Sequence, residues 1–198
     1  MKIKLTALAA TVFLFVSCNN NKSKDTVTVQ HEDGKGQTTI DVSDMKDVAA
    51  DMEKTKEKLA NTTPLGAEEM KALLPEQLAG ARRVELDVQP AMGTNVAQGR
   101  YQVTDTSWVE ISIVDCAGPA GSGLFATQYL GMMNVQDEDE DEYTRTVEYK
   151  GGKAFENCQK KRLECSLTWF TKNRFLVSIN SQFVGIDAVR KVGDALEL

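Results

Sequence analysis

The residues best suited to chemistry in this chain of 198 amino acids are its four cysteines, at positions 18, 116, 158 and 165. Cys116 precedes a glycine-rich stretch between a predicted strand and a predicted helix, and a helix N-terminus can stabilise a nucleophilic thiolate. The single histidine, His31, lies in a polar N-terminal segment, so the body offers no Cys–His or Ser–His pair. Cys116 is the one candidate nucleophile of a thiol-dependent enzyme. The alternative is that Cys116 is a buried, unreactive thiol that packs like a small apolar side chain.

Cys158 and Cys165 flank a short basic turn, and the sequence leaves two registers of the surrounding hairpin open. If positions 161 and 162 form a two-residue turn, the two cysteines face each other and can form a disulfide. If the turn takes positions 160 to 162, Phe155 gains an apolar partner and Cys158 points to the opposite face. The first register assigns a disulfide to the pair, and the second leaves buried thiols.

Six consecutive acidic residues, Asp137 to Glu142, provide the carboxylate oxygens that calcium prefers. The weak calcium candidate within the run is the alternating set Asp137, Asp139 and Asp141. The run has no glycine at a bend and lacks the spacing of an EF-hand loop, and uninterrupted acids usually stay solvated. A solvated loop is therefore the competing interpretation, and the sequence indicates no cofactor and no other metal site.

The charge of the chain bears on its partners. The formal net charge is −6, and removal of the first 17 residues, which contain Lys2 and Lys4 and no acid, leaves −8. A protein this acidic has no electrostatic attraction to nucleic acid. The one basic cluster, Lys160 to Arg162, fits a turn. Nucleic acid is therefore not an expected partner.

The N-terminal residues have the order of an export signal. Lys2 and Lys4 precede the apolar run Leu5 to Val16, which is too short to span a bilayer. The residues Phe-Val-Ser-Cys18 that end this region resemble the lipobox of bacterial lipoproteins, with the leucine displaced by one place to Leu14. The resemblance implies cleavage before Cys18, a diacylglycerol on its sulfur and a fatty acid such as palmitate on its amino group. The partner so implied is a membrane, reached through the acyl chains on Cys18.

The lipobox resemblance also implies a location and a division of the chain. Asn19 follows Cys18 where some lipoproteins carry an aspartate that retains them in the inner membrane, so we expect the cell envelope and its outer membrane. Residues 1–17 are the predicted signal peptide, and 18–44 are a polar tether that could contain a small hairpin. Residues 45–79 form a helical segment, and 80–198 form an α+β domain.

Hydrophobic periodicity predicts the elements of that body. One or two amphipathic helices are expected first, at about 45–60 and 67–74. Three strands, a helix from about Leu124, a four-stranded meander and a final helix near 186–196 follow. Glycines between 118 and 123 are expected to form a turn, and a three-residue turn at 171–173 pairs Trp169 with Phe175. The expected fold is α+β, with an antiparallel sheet of about seven strands covered by helices.

Three short motifs in the body are Leu74-Pro-Glu-x-Leu78-x-Gly80, Asp115-x-Ala-Gly118 and Asn173-Arg-Phe-x-Val177. With them, residues 73–198 resemble a group of short bacterial envelope proteins without assigned activity, and the resemblance transfers no active site. The expected function is a membrane-anchored, non-enzymatic binding or structural module whose partner is an envelope protein or a small ligand. The alternatives are a small-ligand or calcium-binding lipoprotein with a pocket between sheet and helices, and a thiol-dependent enzyme.

Overall fold

The computed structural model describes residues 26–30, 37–41, 45–91, 93–131 and 135–198. The elements within these ranges are, in chain order, β1 (Thr26–Gln30), β2 (Gln37–Asp41), α1 (Met45–Ala60), α2 (Ala67–Ala72), β3 (Gln77–Leu78), β4 (Ala81–Ala91), β5 (Thr94–Gln102), β6 (Trp108–Asp115), α3 (Gly118–Gly131), β7 (Val135–Glu138), β8 (Glu142–Tyr149), β9 (Gly152–Gln159), β10 (Glu164–Thr171), β11 (Phe175–Gln182) and α4 (Ile186–Ala195). None of the helices in these ranges combines the length and the apolar character needed to cross a bilayer.

The strands of the described ranges form one sheet of eleven, in the order β1-β2-β7-β8-β9-β10-β11-β6-β5-β4-β3. Its strand pairs are antiparallel, and the α+β class holds. The predicted seven strands and their arrangement are wrong. Strand β11 pairs with β6, so the four-stranded meander joins the earlier strands through its last strand. Pairing between strands so distant in sequence leaves no trace in local alternation.

The additional strands lie in segments that we predicted to be tether, helix or loop. Strands β1 and β2 form a hairpin within the predicted tether, and β2 pairs with β7 inside the predicted acidic loop. A two-stranded hairpin alone is marginal, and pairing with β7 supplies partners for its backbone groups. Strand β3 lies within the predicted helical segment and pairs with β4.

Helices pack on both faces of the sheet. Helices α2 and α4 cover the face whose core includes Ile111, Trp169 and Val177. Helices α1 and α3 pack together on the opposite face, where Leu59 and Phe125 contact Leu176. Successive residues of β11 thus belong to different cores, as alternation along a strand requires.

Helix α3 begins at Gly118, so the predicted turn at 118–123 is wrong. The glycines are needed for close approach rather than for a turn. A β-carbon on Gly121 would lie 2.6 Å from the carbonyl carbon of Cys116, because the helix passes directly over the end of β6. Around Gly123, by contrast, an added β-carbon would meet nothing within 4 Å.

Replacing Gly121 by alanine is expected to lower the free energy of unfolding by about 1–3 kcal/mol, because backbone has to move to admit the methyl group. The matched change Gly123→Ala places the same methyl group in open space and is expected to stabilise the helix by about 0.5–1 kcal/mol. Urea unfolding followed by circular dichroism measures both. Equal midpoints for the two variants would contradict the close approach at Gly121.

The two hairpins of the meander settle the predicted registers. Cys158 faces Cys165 around a four-residue turn, so the first of the two registers is right. Phe155 then points to the other face, where it packs beside Leu176 and Phe125. In the next hairpin Trp169 pairs with Val177, not with Phe175. The predicted pairing of these strands is therefore shifted by two residues from the observed one. A shift of two leaves every side chain on its predicted face.

Candidate functional site

The predicted site residues are distributed over distant parts of the protein. Cys18 and His31 lie outside the described residues. Cys158 and Cys165 are joined in a disulfide with their α-carbons 4.0 Å apart, within the core beneath α2 and α4. The bridge links neighbouring strands inside the body and has no contact with Cys116, which is a free and buried thiol.

Cys116 lies at the end of β6, immediately before α3, and its side chain is fully buried. Burial raises the pKa of the thiol to about 11, and the neighbouring Asp115 carboxylate adds to that increase. A thiol with this pKa is protonated at neutral pH and is a poor nucleophile. The surroundings of Cys116 therefore favour packing over catalysis.

The acidic run forms the tip of the β7–β8 hairpin. The Asp139 carboxylate accepts hydrogen bonds from the backbone N–H groups of Asp141 (2.7 Å) and Glu142 (2.8 Å). Lys161 forms an ion pair with Asp141, and Asp137 lies on β7. Across the described ranges, no group of three or more His, Cys, Asp or Glu side chains could hold a metal ion. These contacts favour a turn neutralised by the adjacent basic turn over a calcium site.

Two buried carboxylates that the sequence did not single out hold the layers together. Asp115 accepts from Arg174 Nε and Nη2 (2.9 Å each) and from the backbone N–H of Leu65 (2.7 Å). Glu156 accepts from Arg145 of β8 (2.9 Å from Nε) and from Arg190 of α4 (2.9 Å from Nε). Asp115 is paired with Arg174, and Glu156 is paired with Arg145 and Arg190. Because both carboxylates are already engaged, we interpret them as structural links.

A cavity of about 490 Å³ lies at the end of the sheet where the β8–β9 and β10–β11 turns lie. A second hollow of about 450 Å³ adjoins it and extends along α1. The two share Tyr129 of α3, Phe170 of β10 and Asn173 of the β10–β11 turn. We call the joined space the lysine-rimmed cavity. The remaining lining residues are Asp51, Lys54, Thr55, Lys58, Phe125, Glu148, Lys150, Gly151, Gly152, Lys153, Thr171 and Lys172.

Each wall of the lysine-rimmed cavity follows from local structure. The lining positions of α1 are 51, 54, 55 and 58, which share one face of a helix because they are three and four residues apart. Lys150 and Gly151 both have positive φ (49° and 77°), as a two-residue type I′ hairpin turn requires. Lys172 and Asn173 also have left-handed backbones, with φ of 51° and 49°. Tight hairpin turns commonly hold residues in this left-handed conformation, which also occurs outside the cavity at Ala79, Leu163 and Phe183.

Aromatic rings form the floor of the lysine-rimmed cavity. The ring centroids of Phe125 and Phe170 are 4.4 Å apart, and those of Phe125 and Tyr129 are 5.2 Å apart. Phe125 is buried, whereas Tyr129 and Phe170 are partly exposed to the cavity. Phe125 thus contacts both of the other rings, and together they provide an apolar surface on which a flat or extended apolar group can lie.

Four lysines on the rim leave their charges available. Lys54, Lys58, Lys153 and Lys172 have neither a hydrogen bond nor an ion pair to another side chain in the described part of the protein. The fifth, Lys150, is occupied, because its Nζ donates to the carbonyl of Leu196 at 2.8 Å. Two acids, Asp51 and Glu148, also line the space, so the rim is positive on balance in an acidic protein.

Local sequence patterns do not predict this cavity, because its residues come from α1, α3 and two distant turns. Only the α1 stripe left a local signal, in the helical spacing of Asp51, Lys54, Thr55 and Lys58. No protein-family model matches this chain, and neither a curated protein nor a solved structure is significantly similar to it. The residues of the cavity and the N-terminal sequence are therefore what bears on function.

Proposed function

We propose that this chain is a lipid-anchored, non-enzymatic binding protein of the bacterial cell envelope, with the lysine-rimmed cavity as its ligand site. The observation that carries the proposal is the cavity itself, in which an aromatic floor is bordered by four lysines that have no ion pair within the described residues. Natural ligand sites are concave, largely apolar and supplied with a few polar groups that fix orientation. The lysine-rimmed cavity is concave and combines an apolar floor of three aromatic rings with a polar rim, although its lining as a whole is more polar than apolar.

The proposed location is supported by the N-terminal sequence. A cysteine preceded by a small residue, Ser17, at the end of an apolar run of 12 residues is typical of lipoprotein signals. Two acyl chains anchor a protein stably where one is marginal, so a modified Cys18 would hold the body at a membrane. Asn19 after the cysteine favours the outer membrane in this proposal.

Binding without chemical transformation is supported by the types of residue that line the cavity. The lining is made of aromatic, lysine, glycine, threonine, asparagine and acidic side chains, and a positioned nucleophile–base pair is not among the described ones. Cys116, the one candidate nucleophile from the sequence, is buried with a raised pKa. An enzyme based on Cys116 would first have to expose this thiol.

The anchor is tested by replacing Cys18 with serine. In the native chain expressed in a bacterium, we expect mass spectrometry to find an N-terminal peptide that begins at Cys18 and carries acyl groups. The protein should sediment with membranes, and Cys18→Ser should carry no lipid because serine has no thiol. Cys116→Ser is the matched control and should remain anchored. A native N-terminus at Cys18 without lipid would contradict the proposal.

A further inference from the structure

We propose that the ligand of the lysine-rimmed cavity is an anionic amphiphile, a molecule with an acidic head group and an apolar body. This inference rests on the proposed function, because it names the ligand class of the same site. The head group lies against Lys153 and Lys172, and the apolar body lies on Tyr129 and Phe170. The two ends of such a molecule match the two kinds of surface that the cavity presents.

The apolar part of the ligand follows from the floor. Tyr129 and Phe170 are partly exposed, and both line the 490 Å³ and the 450 Å³ spaces. A hydrocarbon chain or ring that covers them removes apolar surface from water on both sides, and this burial is the dominant favourable term in binding. The joined spaces are large enough for a molecule longer than a simple anion such as phosphate or acetate.

The anionic part follows from the rim. Lys153 lies directly opposite Glu148 in the β8–β9 register, yet the two form no ion pair. Lys172 lies at the tip of the β10–β11 turn, and Lys54 and Lys58 extend the positive rim along α1. The chain as a whole carries −6, so this local excess of lysine runs against its average charge. Five lysines and two acids line the cavity, and this excess of positive charge attracts a ligand of the opposite sign.

The cavity lies at the same end of the sheet as the N-terminal end of β1, which is the end that is connected to Cys18. Gln30 pairs with Gln37, Gln37 with Glu138 and Glu138 with Tyr143, so β1 ends where β8 begins. Thr26 therefore lies toward the Lys150–Gly151 turn, about 14 Å from β8 across three strand spacings. Seven residues separate Thr26 from Cys18, a reach of at most about 28 Å. An anchored protein would thus keep the cavity close to a bilayer, which is a source of anionic amphiphiles.

The test uses two fluorescent dyes that share their rings. Anilinonaphthalene sulfonate is anionic, and phenylnaphthylamine has the same rings without the sulfonate. With the native chain, we expect both dyes to bind and the sulfonate to bind at least about tenfold more tightly, as expected from one charge-assisted hydrogen bond. Lys153→Met with Lys172→Met should abolish that preference, so that the sulfonate binds no more tightly than phenylnaphthylamine.

Two control variants make the result specific to the cavity. Lys71→Met with Lys191→Met removes the same charge from helices on the opposite face and should leave both affinities unchanged. Tyr129→Ser removes part of the floor and should weaken both dyes. If the two dyes bind the native chain equally, the anionic ligand class is overturned and the binding function stands. If neither dye binds, or if Tyr129→Ser has no effect, the cavity is not a ligand site and the proposed function fails with it.

Displacement of the sulfonate dye then distinguishes the two sources of an anionic amphiphile. Displacement by dodecanoate below its micelle concentration identifies a free amphiphile as the ligand. Displacement by phosphatidylglycerol vesicles, but not by phosphatidylcholine vesicles, identifies a lipid held at the bilayer. Dye that neither competitor displaces would contradict an anionic amphiphile from either source.

Discussion

Replacing Asp115 by alanine is expected to lower the free energy of unfolding by about 3–5 kcal/mol, the cost of leaving a buried charge without its partner. The carboxylate is fully buried and joins three segments. Its oxygens accept from Leu65 between α1 and α2, from Ala117 at the start of α3 (3.1 Å) and from Arg174 beside the β10–β11 turn. Alanine would leave the Arg174 guanidinium, which is 24% exposed, and two backbone N–H groups without this acceptor.

The matched variant Asp115→Asn separates the charge from the shape of the side chain. An amide keeps one oxygen acceptor but presents N–H₂ to donors that already carry hydrogens. We therefore expect a smaller loss than for alanine, with the two variants ordered alanine, asparagine and native in increasing stability. Urea unfolding followed by tryptophan fluorescence measures the order. Midpoints of both variants equal to that of the native chain would contradict the role of Asp115 as a link between the segments.

Asp115 also connects stability to the proposed site. Arg174 donates to Asp115 and, through Nη2, to the carbonyl of Thr63 at 2.9 Å. These bonds fix the β10–β11 turn against the connection that follows α1. The turn and α1 itself both contribute walls of the lysine-rimmed cavity. Loss of Asp115 should therefore weaken dye binding under conditions in which the variant is still folded. Its motif, Asp115-x-Ala-Gly118, was noted in the sequence without this role.

Local sequence patterns predicted the elements better than their arrangement. The spacing of apolar residues placed α1 at the bounds that the structure has, Met45–Ala60. The glycines at 118–123 were predicted to form a turn, but glycine serves both turns and close approach, and only the packing of Gly121 on Cys116 distinguishes the two. The register at Cys158 also remained open, because the sequence alone does not show which face of the sheet buries Phe155. Phe155 has an apolar environment in its observed orientation only because α1 and α3 cover that face.

The sheet order and the cavity were beyond local patterns. Strand β7 lies in an acidic run that sequence rules assign to solvent, and it forms because β2 and β8 both pair with it. Its hairpin tip is neutralised by Lys160, whose Nζ is 2.9 Å from Glu138. The cavity likewise combines residues from positions 51 to 173. Such combinations depend on tertiary pairing, which alternation along one strand does not encode.

Replacing Glu156 by glutamine is expected to cost about 2–3 kcal/mol at neutral pH, the range for hydrogen bonds to charged groups. Glu156 is fully buried on β9, between Arg145 and Arg190. The side chains of these arginines are 44% and 37% exposed, so they can turn to water when the carboxylate is lost, which limits the cost. The loss should appear as weaker docking of α4, because Arg190 is the helix residue that the carboxylate holds.

The pH dependence of the same variant gives the sharper result. Burial alone raises the pKa of Glu156, but the hydrogen bonds from Arg190, Arg145 and Tyr143 outweigh burial and bring the pKa below its ordinary value. A carboxyl with a lowered pKa in the folded state stabilises the fold above its unfolded pKa of about 4.3, and that stabilisation is lost as the pH falls further. The native chain should therefore lose more stability between pH 6 and pH 3 than Glu156→Gln does. The exposed Glu76→Gln is the control and should lose as much stability as the native chain. Equal losses of stability in the native chain and in Glu156→Gln would show that Glu156 titrates alike in the folded and the unfolded protein.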